Sequence, residues 1–282
     1  MAHDLSARPG TGALSADGLG QAQGFRPLSC RHETGYRVNM AIRIPRGRML
    51  RIAEVRIDLA AEPHPFELVH ERAIAETWAV AKAAKPALFN GLTTLVSAAE
   101  INGDGILWGC CHLVRYATLL HWIGHPEPEG TEHVFAHAVP ESADGRAIAI
   151  RMGPQTVNAD QCYFAAGSFD ASDIVDGRID IKGNMAREVR EETGLALEQA
   201  VAEHGFHLWR GRGYAVLLRR YRFEQAADDL ASQVRAHVAR EPMPEIIGPV
   251  VLEPGGKRPR RLAAHMGPVL DWLATEPGFR AA

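Results

Sequence analysis

The chain has 282 residues, 46% of them hydrophobic and 23% charged, with a formal net charge of −3. Such a length buries an ample core, in one large domain or two modest ones, and such a charge provides no strongly basic face for long nucleic acid. No window of ~18 apolar residues predicts a membrane span, and the N-terminus lacks the basic start and apolar core of a secretory signal. Cys30, Cys110, Cys111 and Cys162 show neither CxxC pairing nor zinc spacing. The adjacent Cys110 and Cys111 lie in an apolar run and are expected to be buried, reduced thiols. These features lead us to expect a cytoplasmic protein.

Residues 1–40 are rich in Gly, Ala and Ser and follow neither a two-residue nor a 3.6-residue period. A disordered leader is expected there, and Met40 or Met49 would also open a sensible chain. From Leu50 the apolar residues Ile52, Val55, Ile57 and Leu59 predict a strand, though an imperfectly alternating one. Pro63 and Pro65 break it. Residues 66–84 read as an amphipathic helix with Leu68, Ile74, Trp78 and Ala81 toward a core. A turn follows, Lys85-Pro86-Ala87-Leu88-Phe89-Asn90-Gly91. Apolar runs over 92–101 and 106–113 flank Asn102-Gly103-Asp104-Gly105, a hairpin signal, and a short helix is predicted over Tyr116–Trp122. Residues 50–125 thus read as a small α/β unit.

A second unit is expected over 132–275. Residues 134–139 and 147–151 form a hairpin around Ser142-Ala143-Asp144-Gly145, and 161–166 a strand leading to Gly167. Residues 205–210 and 214–222 are strands around Gly211-Arg212-Gly213. An amphipathic helix over 224–239 carries Leu230, Val234 and Val238 on one side. Residues 246–252 are a last strand and 262–273 a last helix. Strands interleaved with helices predict a mixed sheet between helical layers.

Between the two halves of this second unit lies the chemistry. In Arg187-Glu188-Val189-Arg190-Glu191-Glu192-Thr193-Gly194-Leu195, read as a helix, the glutamates at 188, 191 and 192 are spaced i, i+3 and i+4 and share one face. Their mutual repulsion calls for a cation, and hard Mg²⁺ prefers carboxylate oxygens, water and substrate phosphates. Gly194 suits the left-handed position past a helix end, and Asn184 is the expected N-cap. The plain alternative is a solvated Glu/Arg-rich surface helix.

The string resembles the second half of the Nudix box, REUxEExGU with U aliphatic, and matches at Arg187, Glu188, Val189, Glu191, Glu192, Gly194 and Leu195. The first half, Gx5Ex7, is not there in its usual form. Counting back from Arg187 puts Asp173 at the glycine and Ile179 at the glutamate. Starting instead from Phe164-Ala165-Ala166-Gly167, which resembles the family's P-G-G turn, puts Asp173 at the acid position. Thirteen residues then separate Asp173 from Arg187 where the pattern has seven, an insertion of six. Asp173, Asp176 and Asp180 are all candidates for the missing glutamate's role, and none of them is forced by the sequence.

The resemblance implies an α/β/α sandwich and a Mg²⁺-dependent (or Mn²⁺-dependent) hydrolase of a nucleoside diphosphate linked to another moiety. By the match, Glu188, Glu191 and Glu192 are the metal ligands, Arg187 orients a glutamate, and Gly167 lets backbone approach the site. A base outside the box is common in the family. Glu245 is our choice, with Glu241 also within reach. A looser similarity, through the Lys85–Gly91 turn and the later Tyr-containing helix, is to Nudix proteins of the UDP-sugar hydrolase type. It suggests a nucleotide sugar and adds Asn90 as a candidate substrate contact, and Arg151, with Arg210, Arg212 and Arg219, is a candidate for phosphate contact. Ordinary turn chemistry is the plain reading of Asn90, and solvation that of the arginines. His112, His121 and His125, or His133 and His137, are weighed as a transition-metal site, but His133 and His137 lie too far apart on a strand to share one ion. The expected partner is a small nucleotide, with no long nucleic acid and no membrane, and a homodimer is the commonest assembly. The rival class is a Nudix-fold binding or regulatory module without turnover, motivated by the broken first half of the box.

Overall fold

The strand expected from Leu50 to Leu59 is two strands that part at Ala53. In the computed structural model, which describes residues 41–125 and 130–276 with Phe279 and Ala281, β1 (Met49–Ile52) and β2 (Glu54–Leu59) join different sheets. The apolar positions slip by one residue between Ile52 and Val55, and a one-residue slip reverses the face that side chains take. The imperfect alternation was the signature of that break. The expected leader over residues 1–40 lies outside the described residues.

α1 (Pro65–Ala84) starts on a proline, whose missing N–H costs nothing in a first turn. His64 caps it, Nδ1 accepting from the Phe66 N–H at 3.0 Å. Ile74 is buried, but Leu68, expected toward the core, is 65% exposed. The helix breaks its dihedral pattern at His70, so the face of its first turn does not continue into the next. β3 (Leu92–Ile101) and β4 (Ile106–Arg115) form the expected hairpin, with Asn102 Oδ1 accepting from the Asp104 and Ile106 N–H groups. α2 (Tyr116–Gly124) packs on α1, Phe66 meeting Trp122 edge-on at 5.1 Å between centroids.

β5 (His133–Glu141) and β6 (Ala147–Met152) are the next hairpin, and the strand expected over 161–166 shrinks to β7 (Cys162–Tyr163). The insertion before the glutamate helix folds as a tight hairpin of β8 (Ile174–Val175) and β9 (Arg178–Ile179). Asp176 and Gly177 supply its two positive-φ turn positions, at 50° and 75°, as a two-residue turn requires. α3 (Ile181–Thr193) follows. Its N-cap is Asp180, accepting from the Gly183 N–H at 3.0 Å, and Asn184, expected in that role, lies buried inside the helix. Then come β10 (Val201–Ala202), β11 (Phe206–Arg210), β12 (Tyr214–Arg222), α4 (Ala227–Val238), β13 (Ile246–Leu252) and α5 (Met266–Thr275), the last starting four residues later than expected.

The larger sheet has eight strands, ordered β1–β11–β12–β5–β6–β13 with β10 and β7 paired to β12 and β6. It is mixed, because β12 runs parallel to β5 while its other pairs are antiparallel. Helices cover both faces. Tyr221 of β12 reaches Met185 Sδ of α3 at 3.7 Å, and on the other face His207 of β11 meets Trp272 of α5 at 4.6 Å between centroids. This is an α/β/α sandwich. The second sheet has five strands, β3–β4–β2–β9–β8, and is also mixed, with β2 parallel to β4.

The sheets exchange strands. β1 belongs by sequence to the first unit but edges the larger sheet, and the β8–β9 hairpin extends the smaller one through β2, where Arg178 Nε donates to Asp58 Oδ1 at 2.7 Å. One apolar core runs through both, joining Ile57, Leu59 and Val96 to Val134, Val189 and Leu217. Cys111 and Cys162 are buried free thiols, whereas Cys110, expected to be reduced, is disulfide-bonded. No helix among the described residues is long and apolar enough to cross a membrane.

Candidate active site

The last turns of α3 carry the glutamates, and Gly194 ends the helix at φ 72°, its N–H on the Arg190 carbonyl at 2.9 Å. Arg187 organises the charges around it. Its Nη2 donates to both Asp173 oxygens at 3.0 and 3.1 Å, and its Nη1 lies 2.6 Å from Glu188 and 3.5 Å from Glu191. Asp173 also accepts from Asn184 Nδ2 and from the Asp170 N–H, each at 3.0 Å. Of the three aspartates left open by the sequence, Asp176 makes the hairpin turn, Asp180 caps α3, and Asp173 alone faces Arg187. The six extra residues are absorbed by a hairpin that leaves and returns beside the same helix, with the Asp180 N–H donating to the Asp173 carbonyl at 2.7 Å.

One guanidinium thus faces three acids. Burial pushes the Glu188 carboxyl up to about 7; Arg187 pulls it down, while Glu191 and Asp173 add to the rise. Burial likewise raises Asp173, against the Asp170 N–H and Arg187. Arg187 is itself held more firmly protonated, because the attraction of Glu188 and Asp173 outweighs the effect of its own burial.

Gly167 is where backbone and carboxylate meet. A Cβ built there would lie 2.2 Å from Glu188 Oε1 and 2.4 Å from its Cδ, so no larger residue fits while Glu188 is held by Arg187. Glu192 is buried beside it, Oε2 accepting from the Ala166 N–H at 3.1 Å. Gly167→Ala should displace the Glu188 carboxylate and destabilise the fold by about 1–3 kcal/mol, the range of an overpacked site. It should also remove any activity that depends on Glu188. Thermal melts and turnover check this, and an alanine variant with wild-type turnover would show that the close approach is incidental.

These groups line a cavity of about 500 Å³. Gly167, Arg187, Glu188, Glu191 and Glu192 form one wall, Glu241 and Glu245 come from the loop before β13, and Phe89 and Gly91 of the turn before β3, Leu92 of β3 and Tyr116 of α2 complete the lining. Both candidate bases thus reach the cavity. The Glu245 carbonyl accepts from the Gly153 N–H at 2.7 Å, and Gln155 Nε2 donates to the Pro244 carbonyl. Lys85 Nζ reaches the Gln155 carbonyl at 3.0 Å, so the rim from the smaller sheet to the Glu245 loop is continuous.

Arg151 and Asn90 are not brought in. Arg151 Nη1 donates to Asp160 Oδ1 at 3.0 Å, and Asn90 Oδ1 accepts from the Ala117 N–H at 2.9 Å, which is turn chemistry. The weighed histidines also have local duties. His133 bonds Ser168 Oγ at 2.9 Å, His137 bonds His265 at 2.8 Å, and His112 bonds Ser97 Oγ at 2.7 Å. Two residues were missed. His237 of α4 lines the cavity and donates Nε2–H to the Glu191 carbonyl at 2.9 Å, bracing the end of α3; nothing in the α4 pattern singled it out. Phe89 sits in the Lys85–Gly91 turn, and no periodicity in the sequence marks it as facing a cavity.

Among the described residues no group of three His, Cys, Asp or Glu side chains is already gathered to hold a metal ion. The donor set nonetheless fits a hard cation in chemistry. Glu188, Glu191 and Glu192 all open onto one cavity, and carboxylate oxygens are the donors that such a cation prefers.

No family model matches the chain, and no curated protein does. Solved structures similar to it include a MutT protein from Methanosarcina mazei, at 15% identity over 51% of this chain and 94% of that one, with a TM-score of 0.34. A Nudix hydrolase from Nitrosomonas europaea is similar at 17% identity over 52% and 82%, with a TM-score of 0.29. A protein from Deinococcus radiodurans is similar at 11% identity over 57% and 84%, with a TM-score of 0.35. The chemistry of the site is read from this chain's own side chains.

Proposed function

We propose that the chain is a divalent-metal-dependent hydrolase of the Nudix type, cleaving the diphosphate linkage of a nucleoside diphosphate derivative, with a nucleotide sugar the first class to try. The observation that supports it is the convergence of Glu188, Glu191, Glu192, Gly167 and two loop carboxylates on one cavity. Glu188, Glu191 and Glu192 would hold Mg²⁺ or Mn²⁺. When bound, such an ion supplies charge neutralisation at the diphosphate oxygens and lowers the pKa of water. Glu245, with Glu241 as the other candidate, accepts the proton of the attacking water. Arg187 holds the glutamates in register through Asp173, and His237 fixes the backbone that carries Glu191.

A binding module without turnover is the second reading, supported by the Arg187–Glu188 ion pair at 2.6 Å, which ties up one donor. Phosphate release, coupled to a phosphatase, separates the two. The panel is nucleotide sugars, ADP-ribose, dinucleotides, CoA and nucleoside triphosphates, with Mg²⁺, Mn²⁺ or chelator. Chelator-sensitive turnover of one class is expected. Silence across the panel from folded protein would leave the binding module.

A further inference from the structure

We infer that Phe89, on its turn over Gly91, is the seat for the aromatic base of the nucleotide; this rests on the proposed diphosphate chemistry of the facing wall. The cavity is two-sided, with carboxylates and Arg187 on one wall and Phe89, Gly91 and Leu92 on the other. Phe89 is 62% exposed and Leu92 42%, and Phe89 is the one aromatic among the exposed large apolar side chains of the described residues. Leaving such a ring in water has no structural return, since it buries little of itself.

The turn that presents the ring is tied down. Lys82 Nζ donates to the Pro86 and Leu88 carbonyls, both at 2.7 Å. On the other side Asn90 Oδ1 accepts from the Ala117 N–H at 2.9 Å, and the Gly91 carbonyl accepts from the Tyr116 N–H at 2.8 Å. A Cβ at position 91 would lie 3.1 Å from the ring, so the ring rests close on bare backbone. An exposed aromatic face on a fixed turn, opening into a cavity with a charged far wall, suits a ligand with a flat apolar end and a multiply charged end. A base followed by a diphosphate has that polarity. Stacking on an aromatic face is tolerant of which base is bound, so this seat selects nucleotides as a class.

The test uses the full chain with Mg²⁺ present and calorimetric titration of ADP, UDP and methyl diphosphate, which has no base. Phe89→Ala should weaken ADP and UDP by roughly tenfold to a hundredfold, the range for loss of one stacked base, and leave methyl diphosphate unchanged. Phe89→Trp should restore affinity and add a nucleotide-dependent change in tryptophan emission beyond any shown by the wild type. Melting temperatures should stay at the wild-type value, since the side chain is exposed. Unchanged ADP affinity in Phe89→Ala, or an equal loss for methyl diphosphate, would overturn the inference. Absent chelator-sensitive turnover with the ADP effect intact would sink only the hydrolase reading. Turnover present with Phe89→Ala binding like wild type would sink only this one.

Discussion

Glu191→Gln should lower kcat by two or more orders of magnitude while leaving the melting temperature close to that of the wild type. The asymmetry follows from where the side chain sits. Glu191 opens onto the cavity, its side chain is 57% exposed, and its ion pair with Arg187 spans 3.5 Å. An exposed pair of that kind contributes about 0–1 kcal/mol to stability. Glutamine keeps the shape and loses the charge, so any loss of turnover reports on chemistry. The comparison with Glu192 sharpens it, because Glu192 is buried and its Oε2 holds the Ala166 N–H, so its replacement moves stability and activity together. Single-turnover kinetics and thermal melts decide the matter. Full activity in Glu191→Gln would refute the site assignment even if the chain hydrolyses diphosphates.

Arg187→Met should be the most destabilising change at the site, by about 3–5 kcal/mol near pH 8, as expected when one member of a buried ion cluster is removed. The pH dependence carries the sign. Asp173 and Glu188 are both raised in the fold, chiefly by burial, even with Arg187 present. A raised carboxylate is protonated in the fold at a pH where it is ionised in the unfolded chain, so stability falls as pH rises through that window. For Glu188 the window runs from about 4.5 to about 7. Without Arg187 both groups rise further, the window widens upward, and the penalty grows with pH. At pH 4, below that window, Glu188 is largely neutral in the fold and the variant should be closer to wild type. Arg187→Lys should not rescue it. A single ammonium cannot reproduce the fork that reaches both Asp173 oxygens and Glu188 at once. Denaturant melts at pH 4, 6 and 8 measure this. A penalty independent of pH would mean that Arg187 acts through packing alone.

The features legible in the sequence are those set by short-range periodicity. Three glutamates at i, i+3 and i+4 share a face wherever the segment is helical. A glycine past the last turn takes φ 72° for want of a Cβ, and Asn-Gly-Asp-Gly makes a hairpin through its own side chain. Even the parting of β1 from β2 stands in the sequence, as the one-residue slip between Ile52 and Val55. Asp176-Gly177 is an equally plain turn signal within the insertion.

Other features depend on contacts that no spacing encodes. Which aspartate pairs with Arg187 was settled by a hairpin docking on β2 through Arg178 and Asp58, a contact across 120 residues. That docking returns the chain to α3 with Asp173 facing inward. Asn184 looked like a cap because capping is judged from residue type, yet burial made it a donor to Asp173. The apolar wall at Phe89 exists only because the turn before β3 and the start of α2 open onto the same cavity as the glutamate helix, and His237 reaches Glu191 only because α4 crosses the end of α3. A helix face follows from bond geometry repeated every 3.6 residues. A cavity with two walls follows from how two sheets pack, and that is decided by the core they share.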